Sequence, residues 1–230
     1  MIDKRSKQRA ASVGKGSAAS PKLPSIDLPR PTLARSKSVL RALQQRRTIR
    51  EIGGRKLSLQ VLSNLLWAAC GVNRKKVPIG ISGRTAASAS NSQEIDLYVV
   101  MEVGTFLYDA SHHKLNPIVE ADVRHLALGK GQPDLGAEAP VRLLYVVDVN
   151  KLANTSGYKE PGLKDREIQK SYYYVDTGLI AGNVYLFAAS VGLAAWLHNC
   201  DRFGLTARLK LRPDQRVLFA QTVGYQAEDS

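Results

Sequence analysis

The stretch RRTIRE sets three arginines, Arg46, Arg47 and Arg50, around one hydroxyl, Thr48. A guanidinium presents a planar fork of donors that matches a phosphate or carboxylate, and a hydroxyl can turn its proton toward the same anion. Arg46, Thr48 and Arg50 recur at every second residue, so a chain leaving a helix in extended form aims them at one place. The stretch is then a socket for an anion. The plain alternative is a solvated basic helix end, where each charge gains about 0.3 to 1 kcal/mol from the helix dipole. A second polar cluster, Ser88, Ser90, Asn91 and Gln93, falls in a stretch rich in Gly, Ser, Ala and Asn. Hydroxyls and carboxamides both donate and accept, which suits a ligand edge of mixed polarity, although the same residues also satisfy loop backbone locally.

Other chemistries find little support. Cys70 and Cys200 form no CxxC pair and no disulfide framework, and read as small buried hydrophobes. The four histidines include no HExxH and no pair at helical spacing; adjacent His112 and His113 point apart if they lie on a strand. No metal site is expected, and no side chain is singled out as a catalytic acid or base.

Length and charge bound the partners. A chain of 230 residues that is 44% hydrophobic can bury one substantial core. No run approaches the roughly 18 apolar residues of a spanning helix, and no apolar segment follows the first charges, so no membrane partner is expected. The net charge of +13 is concentrated: the first 50 residues hold 13 Lys or Arg against two acids, the remainder 20 against 18. Residues 1–26 read as a basic mobile arm and 27–230 as one domain, because MIDKRSKQRAASVGKGSAASPK has too little apolar material to offset its ordering entropy. No aromatics are interleaved in the arm for base stacking, so nucleic acid is not expected as a partner. Unpaired cysteines without an export signal point to the cytoplasm.

The elements that must position these clusters follow from periodicity. Proline-rich LPSIDLPRP is an extended segment draped over a surface. Ser38 caps a first helix with Val39, Leu40 and Leu43 on one face, and Ser58 caps a second, LSLQVLSNLLWAAC, that stops at Gly71. The stretch from Asn73 to Gln93 carries no periodicity and reads as a long loop. EIDLYVVMEVG and VRLLYVVDV are interior strands, and GTFLYDASHHKLNPI is a hairpin turning at Asp109 to His112. The longest helix spans roughly Tyr172 to Val191, apolar around most of its circumference, with Gly178 and Gly182 inside and Gly192 as its stop. AAWLH, a short helix LTARLKL and RVLFAQTVG as a last strand complete an α+β pattern.

Taken in order, these pieces resemble the FMN-dependent nitroreductases, in particular the branch with the thiazole- and oxazole-forming dehydrogenases. RRTIR resembles the family's R-R-S-x-R element, LSLQVLSNLLWAACGVNR its second helix, and RTAASASNSQ its R-x-P-S-x-x-N-x-Q loop. LYVV, GTFLYD and HHKL resemble its strand and hairpin, AGNVYLFAASVGLAAWLH its central helix, and LFAQTVGYQ its final strand, over residues 27 to 225. The resemblance implies a mixed sheet flanked by helices and a homodimer with FMN at the subunit interface, the long central helix forming that interface. It implies that Arg46, Arg47, Thr48 and Arg50 hold the phosphate and ring edge. Ser88, Ser90, Asn91 and Gln93 would come from the partner, and the backbone at Gly192 and Leu193 would meet flavin N5 and O4. NADH or NADPH would deliver a hydride to the flavin, which passes it to an electron-poor acceptor of nitroaromatic or quinone type. Two alternatives remain: an azoline-type dehydrogenase of peptide-derived rings, and a non-catalytic flavin- or polyanion-binding protein. Ala87 stands where the family usually has Pro, and Lys170 with Tyr172 stands one position off the azoline enzymes' Lys-Tyr pair. The acidic ending GYQAEDS leaves Arg202 or Arg208 to complete the phosphate site.

Overall fold

The computed structural model describes residues 23–32, 37–78, 82–129, 136–155 and 165–228. Residues 1–22, most of the expected arm, lie outside the described residues. The draped segment supplies β1 (Ile26–Asp27). Next come α1 (Val39–Gln45) and α2 (Leu59–Cys70), whose caps Ser38 and Ser58 accept from Arg41 and Val61 N–H at 3.3 Å each. The expected long loop contains structure: β2 (Val72–Arg74) and β3 (Gly83–Arg84) pair antiparallel, and a 3-10 turn covers Ala89–Asn91. Strands this short carry no periodicity. Arg84 of β3 ties the pair to its surroundings, donating to Cys70 O at 3.2 Å and Gln93 Oε1 at 2.7 Å.

The strands β4 (Ile95–Met101), β5 (Gly104–Asp109) and β6 (Lys114–Val119) follow. His113 lies in the tight turn before β6 with φ 52°, not on a strand. Then come β7 (Val141–Asp148), α3 (Val149–Ala153), α4 (Arg166–Val191), β8 (Ala194–His198), α5 (Arg202–Arg208) and β9 (Gln215–Gly224). α4 starts at Arg166 rather than Tyr172 because Asp165 caps it, accepting from Glu167 and Ile168 N–H; this first part is polar and shows no apolar stripe. α5 likewise begins early, where Asp201 accepts from Gly204 N–H.

The main sheet runs β1-β6-β5-β4-β7-β9-β8, and the expected mixed sheet narrows to one in which every described pairing is antiparallel. Every residue of β7 is buried because helices cover both faces: Leu143, Tyr145 and Val147 meet α2 and α4, while Leu144 and Val146 meet α5. Each such side chain contributes about 1.5–3 kcal/mol. One buried polar link crosses the main core. The Tyr145 hydroxyl donates to Gln221 Oε1, and Gln221 Nε2 donates to Ala181 O of α4 at 3.4 Å.

α4 is apolar on more sides than this chain covers. Ile180, Ala181, Val184 and Ala188 enter the core, but Val175 and Leu179 face outward, and a Cβ added at Gly178 or Gly182 would meet nothing within 4 Å. On α1 only Ala42 is buried, leaving Val39, Leu40 and Leu43 exposed beside α4. The Tyr145–Gln221 link gives the first test. Tyr145→Phe leaves the Gln221 carbonyl oxygen buried without a donor and is expected to lower stability by about 1–3 kcal/mol, read from urea unfolding midpoints at unchanged slope.

Candidate functional site

α1 ends at Gln45, and Arg46 leaves it in extended geometry, with φ −58° and ψ 121°. The exit runs beside the edge strand β8, where Ile49 N–H donates to Ala195 O at 3.1 Å. Ile49 packs on the small cluster of Ile52, Ala139 and Ala194. Alternation turns Arg46, Thr48 and Arg50 to the other side. There the Arg46 guanidinium lies 5.6 Å over the Tyr185 ring and the Arg50 guanidinium 5.7 Å over Trp196. Such stacking contributes about 0.5–1 kcal/mol at exposed positions. The Tyr185 hydroxyl accepts from Leu197 N–H at 2.8 Å, which leaves its proton for Thr48 Oγ1 at 3.3 Å. All three arginines are exposed, and none forms an ion pair among the described residues. Arg47 has the parity of Ile49 and is not part of the Tyr185–Trp196 group. The result is two cations without ion pairs beside a hydroxyl, set on aromatic rings.

Gly192 closes α4 in the left-handed region with φ 77°, and its side-chain direction is open. Its N–H and that of Leu193 both turn back to Ala188 O, the latter at 2.8 Å. What Gly192 offers a ligand is therefore an exposed backbone surface without a side chain; Leu193 is buried. Seven residues separate Gly192 from Tyr185, roughly 10 Å along the helix, so both lie at the arginine end of α4.

The second cluster sits elsewhere. Ser90, Asn91 and Gln93 all have positive φ, at 48°, 55° and 51°. Side chains disfavour this region, and it persists only where neighbours enforce it. Gln93 N–H donates to Ser88 Oγ at 3.0 Å, Asn91 Nδ2 and Gln93 Nε2 donate to Ser82 O at 3.0 and 2.7 Å, and Ala89 N–H donates to Asp176 on α4 at 2.9 Å. Much of the cluster's hydrogen bonding thus shapes its own loop. A cavity of about 410 Å³ lies beside it, lined by Ser88, Asn91, Gln93, Glu94, Lys151 and Asp176 but by none of the arginines at the α1 exit. Asp176 and Tyr185 are nine residues apart, roughly 13 Å along α4, so one chain does not bring the two clusters into one cavity.

A model of the nitroreductase family matches residues 43–225, from the end of α1 to the end of β9. The chain belongs to the nitroreductase family. A Methanocaldococcus jannaschii protein named as a nitroreductase is 30% identical over 158 residues, 66% of this chain and 73% of that one. A crystal structure of a Ralstonia eutropha JMP134 protein named as a nitroreductase superposes with a TM-score of 0.77 at 30% identity, over 89% of this chain and 90% of that one. The Escherichia coli microcin synthetase McbBCD complex shares the fold at a TM-score of 0.63 and 14% identity, over 96% of this chain and 80% of that one. Nitroreductases are oxidoreductases that generally use flavins and are typically dimers.

In this nitroreductase the sequence marks Trp196 only as core or pocket wall and does not mark Tyr185, Asp176 or Glu94. The aromatics read as core, and an isolated acid in a helix or at a strand start carries no local signal. Arg202 lies 5.6 Å over Phe219 and shares a cavity of about 530 Å³ with Arg166, Lys170 and Arg216, away from Arg46. Among the described residues no cluster of metal-ligating side chains occurs. His198 lies beneath the socket, its ring 4.3 Å from Trp196. Nδ1 donates to Asn199 O at 2.8 Å, and Nε2 faces the Thr222 hydroxyl at 2.8 Å, from which it accepts when the ring is neutral. Burial pushes its pKa down to about 4, and Arg142 adds to the effect while the Asn199 carbonyl opposes it. The folded value lies below the ordinary 6.5, so the unfolded chain takes up the proton first. Stability is expected to be full above pH about 6.5 and to fall progressively toward pH about 4, with a loss that His198→Gln reduces, measured by thermal melting across pH.

Proposed function

We propose that this nitroreductase is an FMN-dependent NAD(P)H oxidoreductase that works as a homodimer and reduces an electron-poor small acceptor of nitroaromatic or quinone type. The observation that carries the reading is the α1 exit, where Arg46 and Arg50 stand exposed and without ion pairs on Tyr185 and Trp196, beside Thr48 at the Tyr185 hydroxyl. Uncommitted arginines in extended spacing suit a phosphate, which each guanidinium meets with two parallel donors. Gly192 suits the approach of a flat ring because no side chain stands there. FMN, when bound, supplies hydride transfer from the nicotinamide and on to the acceptor. Arg46 and Arg50 neutralise the phosphate, Thr48 orients it, and Trp196 shields the Arg50 side from water.

The Ser88, Ser90, Asn91 and Gln93 loop then serves a second site across a dimer interface. The exposed apolar residues of α1 and α4 support such an interface, since a contiguous uncovered face on a monomer is disfavoured. The loop arrives already shaped by its own hydrogen bonds, so a ligand need not order it. The azoline-type alternative is weakened by Lys170 and Tyr172, which lie within α4, where residues two apart do not share a face. Unpaired Cys70 and Cys200 suit a reducing, cytoplasmic setting.

Purified protein is expected to be yellow, and its flavin bands to bleach anaerobically with NADH or NADPH. Arg46→Ala and Arg50→Ala should each weaken FMN binding by about 1.5–3 kcal/mol, read by fluorescence titration, with little change in melting temperature. A colourless protein that takes up no FMN would overturn the reading. Deleting residues 1–22 is expected to leave the activity intact; loss of activity would favour a working role for the arm.

A further inference from the structure

Under the 88–93 loop two carboxyl groups meet with no cation between them. Glu94, fully buried at the loop's exit, accepts from the Ser92 hydroxyl at 2.6 Å through Oε2, while Oε1 has no donor. Its carboxyl lies within hydrogen-bonding reach of Asp176 on α4, which is 4% exposed. Asp176 in turn accepts the Ala89 N–H inside the loop. The surrounding charges are engaged elsewhere. Arg84 from β3 donates to Gln93 and Cys70 O, Lys151 from α3 pairs with Asp96 at 2.5 Å, and Asp148 at the end of β7 pairs with Arg212 at 2.7 Å.

Two buried carboxylates in contact do not both stay ionised. A single proton resolves the conflict, because on the Glu94 carboxyl it removes one of the two buried charges and gives Asp176 a donor. We propose that Glu94 carries this proton in mildly acidic solution and donates it to Asp176. This bond is the latch that holds the loop in its left-handed shape, fixing Ser88, Ser90 and Asn91. Glu94 acts here as a positioning residue, through the loop. What the loop is for rests on the proposed function; the latch itself requires no flavin.

Burial, opposed by Ser92 and reinforced by Asp176, raises the Glu94 carboxyl from 4.5 to about 7. The folded chain keeps a proton that the unfolded chain has lost, so the latch's contribution to stability is full below pH about 4.5 and is lost as pH rises through about 7, the pH at which the latch itself opens in the folded chain. Glu94→Gln replaces the titrating proton with a fixed N–H donor. Hydrogen exchange at the Ala89 amide, corrected for intrinsic rate, is expected to lose about tenfold in protection between pH about 6 and 9 in the wild type. Protection should stay level across that range in Glu94→Gln. The infrared difference between the two proteins at pH about 6 is expected to show the carbonyl stretch of a protonated carboxylic acid. Protection independent of pH in the wild type would overturn the latch, as would the absence of that band. If Glu94→Gln does not fold, the wild-type exchange profile decides alone. Loss of FMN binding with the latch signals present would sink the flavin reading and leave the latch standing; the reverse result would do the opposite.

Discussion

The burial of α4 against β7 and β9, crossed by the Tyr145–Gln221–Ala181 hydrogen bonds, sets the position of nearly every polar group described above. A helix held at that point has no freedom to slide, because a buried carbonyl or hydroxyl moved off its partner costs more than the bond itself returns. Two points along it therefore become fixed stations. Tyr185, toward its C-terminal end, receives Arg46 and Thr48 from the α1 exit, and Asp176, nine residues earlier, receives Ala89 from the loop.

The two stations solve opposite electrostatic problems. At the arginine end the cations are exposed and laid on rings, so each stays solvated when no anion is present. Their charge is available rather than compensated. At the loop end the acids are buried, and solvent cannot carry their charge; a proton must. Cation exposure suits reversible capture of an anion, while acid burial suits holding a loop still. The left-handed Ser90, Asn91 and Gln93 show that the loop is held, since such backbone relaxes unless its neighbours over-determine it.

Between the stations, α1 and α4 present apolar surface that the chain itself leaves uncovered. Gly178 and Gly182 sit on that side with open space before them, which lets another surface approach the helix backbone closely. The separation of the two polar clusters along α4 and the uncovered face beside them are what the proposed two-chain arrangement rests on.

Much of this was legible in the residues. Ser38 and Ser58 announced α1 and α2, the continuous apolar runs announced β4 and β7, and the ordered motifs from RRTIR to LFAQTVGYQ announced the family. Those signals are local, because caps, alternation and helical stripes are written within a few residues of where they act. The spacing of Arg46, Thr48 and Arg50 was equally that of a basic helix end, and only the family motifs downstream gave it a direction. What only the tertiary structure decided depends on contacts between residues far apart in the chain. The Tyr185 hydroxyl that meets Thr48 is separated from it by 137 positions, and Asp176 lies 87 from the Ala89 it holds. The β2–β3 hairpin, the left-handed loop and the meeting of Glu94 with Asp176 are likewise imposed from outside their own segments. No local propensity encodes them, and they exist because the packed core brings α4 beside the loop and the α1 exit at once.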